Sequence, residues 1–267
     1  MIELSKRELI GTNLRSSRGN QLKWLSDGYW YKTDNNGYEG LSEYVVSQLL
    51  LKSSLKDEEF ITYDIETIKY NDHIYRGCRS RNFLKEGERI ITLQRLYDAF
   101  YGKDLADVLE DTANIRKRAD VLIKTVTDLT GIQDFGTYLY KLLVIDALFL
   151  NEDRHFHNIG FIEKNGNYSL CPIFDNGASL MSDTRLDYPY EEDVIRMIPR
   201  VRSKTISDNF DEQLEALEPD YSTDIQFDFT DQDIIDLSNN VFEYDDKTKE
   251  RVKRLLIHQR QKYSYYF

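Results

Sequence analysis

Between residues 137 and 177 the chain changes character in a fixed order that few folds can accommodate. Tyr138, Leu142, Ile145 and Phe149 recur at steps of four and three, which predicts a helix over 137–150 with one stripe against a core. The apolar pattern stops at Asn151-Glu152-Asp153-Arg154-His155-Phe156-His157-Asn158. Two β-runs follow, 159–162 and 168–174, around Lys164-Asn165-Gly166-Asn167, whose Asn-Gly and Gly-Asn pairs are hairpin-turn chemistry. The second run therefore returns toward the polar loop and delivers Phe174-Asp175-Asn176-Gly177 beside it. Gly177 is expected to supply a tight backbone bend there.

The residue types brought together are oxygen-rich in a particular way. Phosphoryl transfer from a nucleotide needs hard oxygen ligands for a divalent cation and one carboxylate left to accept the proton of the incoming hydroxyl. Asn158 and Asp175 fit the first role and Asp153 the second. An Asp/Asn-rich loop alone is usually only a solvated turn; the order of helix, loop, hairpin and second Asp is what singles this one out. His155 and His157 lack a third His or Cys at zinc spacing, so they are expected to orient the loop. Asp146 shares an apolar helix face with Leu139, Leu143 and Leu150, where an unpaired carboxylate would be costly. Arg154, His155 or the loop backbone is its expected partner, and Asp146, Arg154 and His155 together form the expected support behind the reacting residues.

A nucleotide site needs a second wall, and the N-terminal stretch has one. Residues 21–25 and 29–33 read as strands joined by Ser26-Asp27-Gly28. Just before them, Ser16, Ser17, Arg18 and Gly19 lie in a small polar loop whose backbone amides suit phosphate oxygens. Strand alternation places Lys32 on one face with Trp30. A helix over 40–51 carries Glu43, the expected ion-pair partner of Lys32; Glu39 is a rival that falls before the helix begins. Runs over 60–68 and 73–79 complete an antiparallel sheet of four or five strands. The adenine-reading hinge is expected over 77–83, with Gly77, Arg79 and Ser80 contributing to nucleotide binding.

With these residues in place the chain resembles the HipA-like serine/threonine kinases, a family whose catalytic lobe is related to the phosphatidylinositol kinases. Ser16-Ser17-Arg18-Gly19-Asn20-Gln21-Leu22-Lys23 matches the family's Ser-x-x-Gly-x-Gln-x-Lys phosphate loop. Lys32 matches its nucleotide lysine, Glu43 its helix acid, Asp153 its catalytic aspartate, and Asn158 and Asp175 its metal ligands. The resemblance implies an α+β, two-lobed protein-kinase-like fold with a small antiparallel β N-lobe, over 1–83, and a mainly α-helical C-lobe, over 84–267. It also implies ATP as donor, Mg2+ or Mn2+ as cofactor, a protein substrate, and autophosphorylation at Ser16 or Ser17. Asn-x-Asp-Arg-His-x-x-Asn is closer to the lipid-kinase form of the motif than to the Asp-Ala-His form of many members. Toxins of the family commonly carry an extra N-terminal subdomain before the phosphate loop. Here that loop begins within the first twenty residues, so the piece is expected to be absent or carried by a small partner protein such as an antitoxin.

Composition agrees with a cytoplasmic enzyme. With 267 residues, 40% of them hydrophobic, there is enough chain to bury the core of one two-lobed unit. A net charge of −12 argues against broad binding to nucleic acid or an anionic membrane. No apolar stretch approaches the roughly 20 residues of a membrane span, and residues 1–10 lack a secretory apolar segment. Cys78 and Cys171 have no metal spacing and are expected to be buried thiols. The stretch 178–208 leaves the metal site and is expected to cover the acceptor cleft. Helices are then expected near 208–217, from Thr230 with a capping box, and from Asp246 onward, the last with a solvated basic face. The reading is an ATP-dependent serine/threonine protein kinase; a lipid kinase and a catalytically silent partner-binding module are its alternatives.

Overall fold

The computed structural model describes residues 1–10, 21–223 and 225–267. The expectations for Ser16, Ser17, Arg18 and Gly19 lie outside the described residues. In chain order come β1 (Ile2–Glu3), β2 (Lys23–Ser26), β3 (Tyr29–Thr33), α1 (Glu39–Leu50), β4 (Asp64–Tyr70), β5 (His73–Arg81), β6 (Arg89–Thr92), α2 (Leu93–Tyr101), α3 (Leu105–Glu110), α4 (Ile115–Thr130) and α5 (Phe135–Phe149). After them stand β7 (Gly160–Lys164), β8 (Asn167–Leu170), α6 (Val194–Met197), α7 (Phe210–Tyr221), α8 (Asp231–Asn239) and α9 (Asp246–Lys262).

Among the described residues, β1 to β5 form a five-stranded sheet in the order β1-β4-β5-β3-β2, antiparallel except for the β1–β4 pair. Alternation along β3 works as the pattern predicts. Tyr31 joins Leu4, Trp24 and Ile68 in a small core on one face, while Trp30 and Lys32 line the cleft on the other. The remainder is mainly helical and carries the large core, to which α1 contributes Leu41, Val45 and Leu49 and α5 nearly its whole surface. A helix apolar all round belongs in the centre of a domain, and α5 sits there.

Three local readings are corrected. α1 begins at Glu39, one residue earlier than expected, and the Glu39 carboxylate accepts the N–H groups of Asn35, Asn36 and Gly37, fastening the preceding turn to the helix start. The run 60–68 divides: Phe60 bridges Ile173, and strand β4 starts only at Asp64. That bridge continues the path of the chain beyond β8 and steers it back to Asp175. β6 was not expected as a strand; it pairs with β7, whose residues lie some seventy positions on. The capping box of α8 falls as read, formed by Thr230 and Asp233, and α7 and α9 begin at Phe210 and Asp246. Cys78 and Cys171 are buried and free.

Candidate active site

α5 ends where the polar loop begins. Leu150 takes the left-handed conformation at φ 56°, and the Asn151 N–H reaches back 2.8 Å to the Asp146 carbonyl. A buried leucine in that conformation is strained, and the strain is held by the core around it. Asp146 is fully buried and has found its partners: Arg154 grips both of its carboxylate oxygens, with Nε 3.0 Å from Oδ2, and Asn151 donates to Oδ1 at 2.9 Å. The guanidinium, itself 1% exposed, also donates to the carbonyl of Phe174 at 2.6 Å, the carbonyl of Asn158 at 3.2 Å and the Asn176 side-chain oxygen at 2.8 Å. One buried charge thus ties the end of α5, the polar loop and the Asp175 segment together.

On the sheet side, Lys32 donates to Glu43 Oε1 at 2.6 Å and to Asp175 Oδ1 at 2.7 Å, with its ammonium 5.3 Å from the centre of the Tyr63 ring. Burial opposes the lysine's charge, but Asp175 and Glu43 override it and hold the ammonium well above the usual lysine range. Burial likewise works against the Asp175 carboxylate; Lys32 and then Lys23 outweigh it and keep the group well below the usual range. Glu43 is pushed up by burial, against the pull of Lys32. Its second oxygen accepts the Asn176 N–H at 2.8 Å, so α1 holds the lysine and the Asp175 segment at once.

Close approach of α1 makes this reach attainable. A Cβ on Gly40 would lie 2.6 Å from the Gly77 carbonyl carbon, and a Cβ on Gly77 would lie 2.0 Å from the Lys32 carbonyl oxygen. Two glycines let helix and strands touch backbone to backbone, one turn before Glu43. Gly77 therefore sits in the middle of β5, not in a hinge. Arg79 faces Asp64 and Glu66 and lies over the Tyr29 ring, away from the cleft, whereas Ser80 lines it. Gly177 was expected to supply a tight backbone bend; the left-handed conformation in this segment falls on Asp175, at φ 63°. Asp is among the few side chains that tolerate that region.

Asp153 is 6% exposed, less open than a solvent-filled cleft would leave it. Asn158, which lines the cleft, donates its amide nitrogen to the Asp153 carbonyl at 2.8 Å. His155 accepts the His157 N–H on Nδ1 at 3.2 Å and stands 3.9 Å from Asp153 Oδ1, bracing the loop from within. Two residues that sequence reasoning did not assign complete the site. Lys23 stands directly opposite Lys32 in the β2–β3 ladder and lines the same cleft, with burial lowering its pKa; its signal was the last position of the quoted phosphate-loop motif. Tyr63, whose hydroxyl meets the Asp175 N–H at 3.5 Å, had no signal of its own.

A sheet lobe, a mainly helical lobe and a Lys–Glu–Asp contact in the cleft between them define a protein-kinase-like fold. Solved structures specify it further. A Helicobacter pylori proinflammatory kinase, CtkA, matches with a TM-score of 0.62 at 16% identity, covering 96% of this chain and 91% of that one. HipA of Shewanella oneidensis MR-1, solved with HipB and its operator DNA, matches with a TM-score of 0.50 at 12% identity, covering 94% of this chain and 65% of HipA. The chain has a HipA-like kinase fold. No protein-family model and no curated protein matches it.

Proposed function

We infer that this chain is a phosphotransferase with ATP as donor and a protein serine or threonine hydroxyl as acceptor. The observation that carries the reading is the meeting of Lys32, Glu43 and Asp175 at bonding distance, in a cleft that Asn158 also lines and that adjoins Asp153. Lys32, steadied by Glu43, is placed to hold phosphate oxygens, with Lys23 beside it. Trp30, Ile61, Phe83, Leu84, Ile90 and Phe174 supply an apolar wall for the adenine. Among the described residues no three His, Cys, Asp or Glu side chains gather as a metal cage. Two oxygen donors, Asp175 and Asn158, nonetheless suit magnesium, which keeps water and substrate phosphates for its remaining positions. When bound there it would neutralise charge on the phosphates.

In the transfer, the bond between the γ-phosphorus and the bridging oxygen breaks and ADP leaves with the electron pair. The acceptor oxygen takes the phosphoryl group, and its proton passes to the Asp153 carboxylate. Positioning and charge balance supply most of the rate. Thermal shift with ATP and Mg2+, followed by radiolabel transfer, tests the reading. Asp153→Ala and Asp175→Ala should each abolish transfer, and Asp175→Ala should also lose magnesium-dependent ATP binding. Near wild-type turnover by Asp153→Ala would remove it as the base.

Ser16 and Ser17 are the proposed autophosphorylation sites. A phosphate there adds about two negative charges between Arg15 and Arg18 and would compete with those of the nucleotide. Peptide mapping after incubation with ATP decides the matter, and undiminished ATP binding by Ser16→Asp would remove the switch. The Shewanella HipA is solved with HipB; by that likeness a small partner protein is proposed for this chain, to be sought by co-purification.

A further inference from the structure

One ammonium at the reacting centre has no role in this scheme. Lys204 Nζ lies 3.0 Å from Asp153 Oδ1, although the two residues are 51 positions apart. The segment that presents it is fixed on both sides. Thr205 Oγ1 donates at 2.6 Å to the carbonyl of Arg154, the residue next to Asp153. The Ser203 N–H reaches the Asp208 carbonyl at 3.0 Å, and the Arg118 guanidinium reaches the Ile206 carbonyl at 3.3 Å. Ser203, Thr205 and Ile206 are buried, while the Lys204 side chain is 49% exposed.

The pair joins a half-exposed ammonium to a carboxylate that is only 8% exposed. Here groups outside the pair fix the backbone, so the geometry is imposed on the lysine. Asn158 Nδ2 stands 3.5 Å from Asp153 Oδ2, so the carboxylate is bracketed from two sides. Arg154 is committed to Asp146. Lys204 also lines a cavity of about 720 Å³ with His155, Phe156 and Arg118, separate in its lining from the nucleotide cleft.

We propose that Lys204 is a positioning residue of the phosphoryl transfer, fixing the Asp153 carboxylate in the orientation that receives the acceptor's proton and balancing its charge. Lys204 has this role only if Asp153 is the acceptor-side base, as inferred above. The full chain, Lys204→Met and Lys204→Arg are compared with radiolabelled ATP and Mg2+, using the chain itself and dephosphorylated casein as acceptors and following ATP hydrolysis alongside. Lys204→Met should lower kcat by about ten- to a hundredfold, the scale of a misplaced reacting group. Its KM for ATP and its ATP-induced thermal shift should stay within about twofold of wild type. Lys204→Arg should recover most of the loss.

A Lys204→Met enzyme with wild-type kcat overturns the role of Lys204 and leaves the phosphotransferase standing. So does an equal loss of kcat and ATP affinity, which would make the lysine merely structural. A wild-type chain that binds ATP and Mg2+ but transfers phosphate to neither protein nor water overturns the phosphotransferase, and the role of Lys204 with it.

Discussion

Arg154 is the side chain on which the site's geometry most depends. Removing it would leave the buried Asp146 carboxylate without its cation and free the Phe174 and Asn158 carbonyls together. Arg154→Met should therefore cost about 3–5 kcal/mol of stability, read by urea denaturation. Pairing it with Asp146→Leu removes the orphaned charge and should restore much of that stability, but not phosphate transfer, since Phe174 and Asn158 stay unheld. Recovery of transfer in the double variant would show that Arg154 serves stability alone. The need for a partner to Asp146 was legible, because a carboxylate on an apolar helix face must be satisfied. The wider reach of Arg154 was not, since two of its acceptors are backbone carbonyls, which carry no residue identity.

At the scale of elements, α1 against β5 decides whether Glu43 arrives. Gly40→Ala would drive a methyl into the Gly77 backbone, so the helix must back away. The expected cost is about 1–3 kcal/mol, with a fall in kcat and in ATP-induced stabilisation as Glu43 withdraws from Lys32. Wild-type kcat in Gly40→Ala would mean the contact yields without moving the glutamate. The helix itself was legible to within a residue, and so was the face of β3 that carries Lys32, because both are written in local periodicity. Gly77 was assigned to the start of a hinge over 77–83, and only the packed backbone shows that it lies within β5 to let α1 approach. β6 and Lys204 depend on pairings tens of residues apart, which no local pattern encodes, and Lys23 was marked only by the last position of the phosphate-loop motif.

Across the whole molecule, Asp34 joins three parts. Its carboxylate accepts the Gly40 N–H at the start of α1 at 2.7 Å and the Tyr244 hydroxyl, from the turn before α9, at 2.9 Å, with Arg76 of β5 3.8 Å away. Burial raises its pKa to about 7, against the pull of the Gly40 and Tyr244 hydrogen bonds. The folded chain therefore binds a proton that the unfolded chain has released between about pH 4 and 7, so the contribution of Asp34 to stability is fullest in acid and is lost as pH rises through that window. The change is at most about 4 kcal/mol. Urea midpoints across the window should fall more steeply with pH in wild type than in Asp34→Asn; parallel profiles would show that Asp34 is ionised throughout. α1 itself touches backbone on the sheet side and lies in the main core on the other. Kinases are often switched by rotating the corresponding helix outward, which parts its glutamate from the lysine. That route needs room behind the helix, and here that side is packed into the main core, so outward rotation of α1 would have to break core contacts as well as the Lys32–Glu43 pair.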